Sequence, residues 1–417
     1  MSNKTLTISA KVARRLVVTK QHLAGKLPSQ STGEDILSIV RDLSYVQWDP
    51  ISILAPSHVI SLWSRLGDFR LSDLDRMMWE KKKLFLYWTP IASIVLSEDY
   101  PLYYSLMRRY PDSLSNSWGA QRDRAKKFLG EHKPLMKAVL SELKKQGPLS
   151  LTQFRDYVQS KRSSDGWTPG NMLSLMLFHL LMSGKVMVVG HQGNQNVWGL
   201  SEEFLPSWVE RKELPEQEVE LMAAQRAIRA LGMASASEIN YYFVRGRYQN
   251  LGRALKRLQD ESVVHRVVVT GLPGREERYI HDDDIALLES MDTDAWQPRL
   301  SLLAPFDNLI YGRTRTSRVF GFDYVHEQFL PKNKRKFGTY VLPILWGERL
   351  VGRIDPRLDK EKQRLVINSV HAEEGATTDR ELSEKIGEAV DRFATFLGMK
   401  EVFYAGRVPS AWRSSLH

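Results

Sequence analysis

The stretch from Pro134 to Leu200 limits what this chain can become, because its hydrophobic pattern is helical three times and then reads as two short strands. Leu135, Met136, Val139, Leu140 and Leu143 fall on one side of a helix, and Gly147-Pro148-Leu149-Ser150 turns into a second over Leu151 to Val158. After Ser163-Ser164-Asp165-Gly166 a third helix is predicted from Pro169 to Met182. Lys185 to Val189 and Gln195 to Leu200 then read as a hairpin closed by His191-Gln192-Gly193-Asn194. Three helices followed by a hairpin is the plan of a winged helix. The third helix carries Met172, Leu173, Leu175, Met176, Leu177, Leu180 and Leu181, so it is apolar all round and must be buried. It cannot lie in a DNA major groove.

The plan recurs on both sides. Downstream, Glu216, Glu218 and Glu220 suit a helix N-terminus, and Arg226 and Arg229 suit its later half before Gly232. Ala236 to Phe243 and Tyr248 to Gln259 follow, and Val263 to Thr270 and Glu277 to His281 flank Gly271-Leu272-Pro273-Gly274 as a wing. Upstream, helices are expected at Ser9 to Leu23, around Ile36, Ile39, Val40 and Leu43, at His58 to Leu66 and at Leu71 to Trp79, with a β-like run at Leu84 to Trp88. No sequence period accompanies this repetition.

After residue 299 the character changes. Val319 to Phe329, Gly338 to Leu345, Arg349 to Ile354 and Arg364 to His371 read as strands. Thr378 and Glu381 read as a capping box before a helix striped with Leu382, Ile386, Val390, Phe393 and Leu397 and stopped by Gly398. The expected class is α+β: three tandem winged-helix (helix-turn-helix) domains and a small C-terminal mixed α/β region. The expected divisions are 1–130, 131–212, 213–298 and 299–417.

At 417 residues and 42% hydrophobic, the chain can bury more than one core. It contains no cysteine, which excludes disulfides, thiolate nucleophiles and cysteine metal sites. Lys and Arg number 59 against 49 Asp and Glu, a net +10 that favours a polyanionic partner. The basic amphipathic start lacks a signal-peptide core, and no apolar run is long enough for a bilayer. A cytoplasmic chain is expected, and a monomer, since no coiled-coil heptads are present.

Phosphate-cradling glycine loops, the Rossmann fingerprint, paired zinc histidines and the serine elbow are all missing. His281-Asp282-Asp283-Asp284 looks metal-like in composition but precedes Ile285, Leu287 and Leu288, as a helix N-terminus would. No metal or cofactor is expected. For phosphate contact the candidates are Arg313 and Arg315, with Arg318, and Lys332, Lys334, Arg335 and Lys336 at an expected hairpin tip. Arg253, Lys256 and Arg257 on the third module's last helix are further ones.

The remaining chemistry is concentrated in Tyr45-Val46-Gln47-Trp48-Asp49-Pro50. If this run is extended, Gln47 and Asp49 point to the same side and can hold one water between an amide and a carboxylate. The alternative is structural: Asp before Pro is a common helix start, with Asp as the cap.

Several segments in order resemble the winged-helix DNA glycosylases of the AlkZ and YcaQ (AlkX) type. They are Leu43 to Ile51, Ser57-His58 with Leu62-Trp63-Ser64-Arg65-Leu66, Tyr87-Trp88, Leu302-Leu303-Ala304-Pro305-Phe306-Asp307, Phe320-Gly321-Phe322-Asp323-Tyr324, Tyr340-Val341-Leu342-Pro343 and Gly352-Arg353-Ile354-Asp355. Gln47-Trp48-Asp49 matches the Gln-x-Asp signature of the YcaQ branch. The resemblance implies a C-shaped molecule with a concave surface for double-stranded DNA. It further implies removal of alkylated purines of the N7-alkylguanine kind, and of bulky adducts or interstrand crosslinks. Catalysis would fall to Gln47 and Asp49, with His58 beside them contacting DNA. Pro90 stands where the family pattern carries a histidine. The competing reading is a non-catalytic winged-helix DNA-binding or regulatory protein.

Overall fold

The computed structural model describes residues 5–49, 51–158, 169–193, 195–274, 276–376, 380–413 and 416. The chain condenses into two compact units: Met1–Leu71 with Ala227–Glu238 and Gln259–His417, and Ser72–Arg226 with Ile239–Leu258. Among the described residues no helix is long and apolar enough to cross a membrane.

In the first unit a strand, Leu6–Ser9, runs parallel to Val264–Thr270 at the edge of a sheet completed by Arg278–His281 and Met233–Ala234. Helix Ala10–Lys20 starts where Ser9 Oγ accepts the Val12 amide, and buries Val12, Ala13, Leu16, Val17 and Val18. Helix Ser57–Leu66 is buried at every position, as an apolar third helix demands. A second sheet has the order Leu300–Leu302, Leu342–Trp346, Arg349–Asp359, Arg364–Ala372, Glu401–Arg407, its last pair parallel. Helix Arg380–Phe396 joins this layer to the helical one: its Phe393 ring lies 4.8 Å from that of Trp63. Of the capping box expected there, Thr378 lies outside the described residues.

In the second unit, helix Lys133–Gln146, strand Leu149–Ser150, helices Leu151–Val158 and Pro169–Met182, and the hairpin Val186–Gln192 with Gln195–Leu200 follow in that order. Leu173, Met176, Leu177, Leu180 and Leu181 are buried, so the all-apolar helix is core. Asn194, expected in the hairpin turn, lies outside the described residues. Tyr100–Arg108 and Gly119–Glu131 are helices as well.

Two expectations fail near residue 320. Arg313–Phe320 is a helix, not the approach to a strand, and it ends at Gly321 with φ 64. A left-handed residue suited to glycine closes the helix there. Phe322 and Tyr324, whose alternation looked like a strand, reach the core from irregular backbone, with the Tyr324 hydroxyl donating to the Val341 carbonyl at 2.6 Å. The Lys332 to Lys336 run is likewise no hairpin tip: Lys332–Lys334 form a 3₁₀ turn within the long connection between Leu300–Leu302 and Leu342–Trp346.

Candidate active site

Ser44 ends helix Gly33–Leu43 in the left-handed region, φ 67, and turns the chain into the short strand Val46–Gln47. Asn308 fixes the start of that run, its Nδ2 donating to the Tyr45 carbonyl at 2.9 Å. The neighbouring Asp307 caps helix Asn308–Tyr311 by accepting the Leu309 amide at 2.9 Å. The same carboxylate takes both terminal nitrogens of Arg65, at 2.6 and 2.9 Å, with no solvent exposure on either side chain. Arg65 donates as well to the Ser61 carbonyl. The segment Pro305-Phe306-Asp307-Asn308 therefore holds both the buried helix Ser57–Leu66 and the extended motif in place.

On that platform Gln47 is 6% exposed and Asp49 8%, so both polar ends are enclosed. Asp49 caps no helix: residues 51–56 are not helical, and the next helix, Ser57–Leu66, follows Pro56. Pro50, the other half of the expected helix start, lies outside the described residues. The carboxylate accepts the Ile51 amide at 3.1 Å, an Asx turn, and meets no cation among the described residues. Burial pushes the Asp49 carboxyl above its ordinary range, and the Ile51 amide offsets part of that rise. The Gln47 side-chain oxygen is buried with no hydrogen-bond partner among the described residues.

Sequence reasoning missed two further groups. Tyr340 is 1% exposed, and its phenol is pushed well up by burial first and then by the Asp49 charge, with Ser57 working the other way. The Tyr340 and Ser57 hydroxyls close no hydrogen bond of good geometry among the described residues. Asp355 sets the Tyr340 backbone, Oδ1 accepting the amides of Thr339 and Tyr340 at 3.0 and 3.1 Å. Gly338, φ 149, lets that carboxylate approach, for a Cβ there would run into the Asp355 carboxyl. The signal was present in Tyr340-Val341-Leu342-Pro343 and Gly352-Arg353-Ile354-Asp355, but no spacing rule connects them to Asp49.

The expected DNA contacts separate into two groups. His58 is buried, its ring stacked under that of Trp48 at 4.2 Å and 18°. A ring so covered positions Trp48. Arg315 is buried, paired with Glu238 at 3.2 Å, and donates to the Leu231 carbonyl. Arg313 donates to the Ile310 and Pro305 carbonyls and lies over the Tyr324 ring, while Arg335 donates to the Gln328 and Leu330 carbonyls. Both spend their donors on local carbonyls. Lys332, Lys334 and Lys336 are exposed, as are Arg253, Lys256 and Arg257 opposite the buried Ala254, Leu255 and Leu258. The acidic run at residues 282–284 is divided among ion pairs with His265, Arg229 and Lys20.

A family described as DNA glycosylase AlkZ-like matches residues 40–396. The fold is similar to that of the Streptomyces sahachiroi DNA glycosylase AlkZ, with TM-score 0.62 and 15% sequence identity over 96% of this chain and 100% of that one. The match runs through the buried Gln47-Trp48-Asp49 platform and the Arg65–Asp307 tie beneath it, and its Gln-x-Asp form is consistent with the YcaQ branch. The chain belongs to the AlkZ-like family of DNA glycosylases.

Proposed function

We propose that this DNA glycosylase hydrolyses the N-glycosidic bond of alkylated purines of the N7-alkylguanine kind, and that Asp49 activates the water. The observation that carries the reading is the state of Asp49: an enclosed carboxylate that caps no helix, meets no cation among the described residues and has a raised pKa. A stabilised carboxylate is a poor base, whereas one destabilised by burial takes a proton readily. Gln47, two residues away with its amide oxygen unbonded among the described residues, orients the same water.

The chemistry needs little else. A purine alkylated at N7 is a cation and a good leaving group, so no second carboxylic acid is required to protonate it. The water oxygen bonds to C1′ and the C1′–N9 bond breaks. Its electron pair neutralises the purine cation as the proton passes to Asp49. The products are the free alkylpurine and an abasic site. No step needs a lysine Schiff base, so the enzyme acts as a monofunctional hydrolase, without metal or cofactor. Its partner is a double strand carrying the lesion, bulky adducts and interstrand crosslinks included, bound by a monomer built from three winged-helix modules with the divisions given above. The scaffold-like helices Ser57–Leu66 and Pro169–Met182 disfavour the rival reading as a major-groove regulator, since neither presents a polar reading face. A duplex with one N7-methylguanine should yield free base and an abasic site on incubation with the protein. Binding without base release would leave the regulatory reading standing.

Two further results are expected. Replacing Lys332, Lys334 and Lys336 by glutamine weakens duplex binding and lowers the slope of log affinity against log salt by about 2 to 3. An unchanged slope removes these lysines from the DNA surface. We propose that the Tyr340 hydroxyl donates to the Asp49 carboxylate once substrate is bound, so that Tyr340→Phe moves the acid limb of the base-release profile to higher pH. A stationary limb would exclude the phenol from the site.

A further inference from the structure

Phe329 is 68% exposed, more than any other large apolar side chain among the described residues, and Val325, at 59%, is next. Isolated apolar side chains on a surface are ordinary. This one is held outward by a built frame. It ends the short turn Glu327–Phe329, and Arg335 reaches across to the carbonyls on either side of it, Leu330 at 2.9 Å and Gln328 at 3.1 Å. From within, the buried Glu327 carboxylate accepts the Phe337 and Gly338 amides at 2.8 and 3.1 Å. Nothing in that bracing buries the ring.

Behind Phe329 stands a row of rings. His326 lies 5.2 Å from Phe329, 5.0 Å from Phe306 and 5.8 Å from Tyr340, whose phenol is within range of the Asp49 charge. The exposed ring is thus two ring contacts away from a neighbour of the carboxylate. Three exposed lysines, Lys332, Lys334 and Lys336, follow within the same connection. A braced apolar tip followed in the chain by exposed cations suits a duplex, whose phosphates take the charges and whose base steps take the tip. Fixing the tip beforehand removes the ordering cost of insertion.

We propose that Phe329 is a wedge that enters the base stack beside the damaged nucleotide while the three lysines hold the flanking phosphates. The inference rests on the base-excision reading above and extends it to how the lesion is exposed to Asp49. Opening a base step is unfavourable, and the ring offsets that cost by filling the gap.

The test uses the full chain and a duplex with 2-aminopurine next to the N7-methylguanine. Wild type and Asp49→Asn should both raise the fluorescence on binding. Phe329→Ala should bind within about threefold of wild type, give no rise, and release base about 10- to 100-fold more slowly. Phe329→Leu should restore both signals, and a lesion in single-stranded DNA should be cut by Phe329→Ala nearly as fast as by wild type. No rise with wild type, or a wild-type rise and rate with Phe329→Ala, overturns the wedge. So does a wild-type dimer that Phe329→Ala converts to a monomer while the fluorescence persists, which would assign the tip to a second copy of this chain. Because the fluorescence does not depend on turnover, the wedge can fail while base release stands. Equally, full activity in Asp49→Asn would refute the catalytic reading and leave the wedge decided by its own signal.

Discussion

Asp49→Asn binds N7-methylguanine duplex as the wild type does, releases base about 10²- to 10⁴-fold more slowly, and melts at a higher temperature. The loss of rate follows from removing the only carboxylate of the Gln47-Trp48-Asp49 platform, while the Asn side-chain oxygen can still accept the Ile51 amide and keep the turn. The gain in stability follows from the sign of the pKa shift. Burial raises the folded-state pKa of Asp49, so the folded state favours the protonated form. That contribution is fully present below the unfolded-state pKa and is lost as pH rises through the folded-state value, leaving ionised Asp49 a liability at neutral pH. A neutral amide removes it. The paired measurement is single-turnover base release with thermal unfolding at neutral pH. Full activity in the variant would refute the assignment, and a lower melting temperature would show that the carboxylate's hold on the Ile51 turn outweighs its desolvation.

Asp307→Ala should destabilise the protein by about 3–5 kcal/mol, because it leaves the Arg65 guanidinium charged with no exposure and no counter-charge. It also removes the acceptor of the Leu309 amide, so the hold of Asn308 on Tyr45 loosens. Activity should fall with stability, though neither Asp307 nor Arg65 is proposed to touch substrate. The double change Arg65→Met with Asp307→Leu should recover most of the stability, since a buried pair replaced by apolar groups of similar volume is often neutral. Denaturant midpoints of the three proteins decide it. An Asp307→Ala midpoint equal to wild type would mean that the pair carries no weight in the fold.

Legibility followed locality. Helix Pro169–Met182 and the hairpin after it were readable because a long all-round apolar run and two short β-branched runs around a Gly-Asn turn each suggest one placement. Arg313–Phe320 was misread because Val319, Phe320, Phe322 and Tyr324 mimic a strand, while the left-handed backbone at Gly321 that ends the helix carries no hydrophobic signal. The basic residues were the least legible. Lys332 and Arg335 are nearly adjacent in a charged run, yet one is exposed and the other is bound to two carbonyls. A charge count cannot tell them apart, because the difference depends on which loop carbonyls lie within reach.

The chain alone was enough for the existence of Gln47-Trp48-Asp49, the buried character of its scaffolding helices and the +10 charge that suits DNA, since each depends on residue type and short spacing. It left open whether Asp49 begins a helix, which residue shares its pocket, and which cations face solvent. Tertiary structure decided these points. Helix Ser57–Leu66 begins too late for Asp49 to cap it, and Asp355 fixes the backbone of Tyr340, whose phenol feels the charge of an Asp49 far away in sequence. Burial then makes Asp49 a stronger base than its residue type predicts, because desolvation is a property of the surrounding fold.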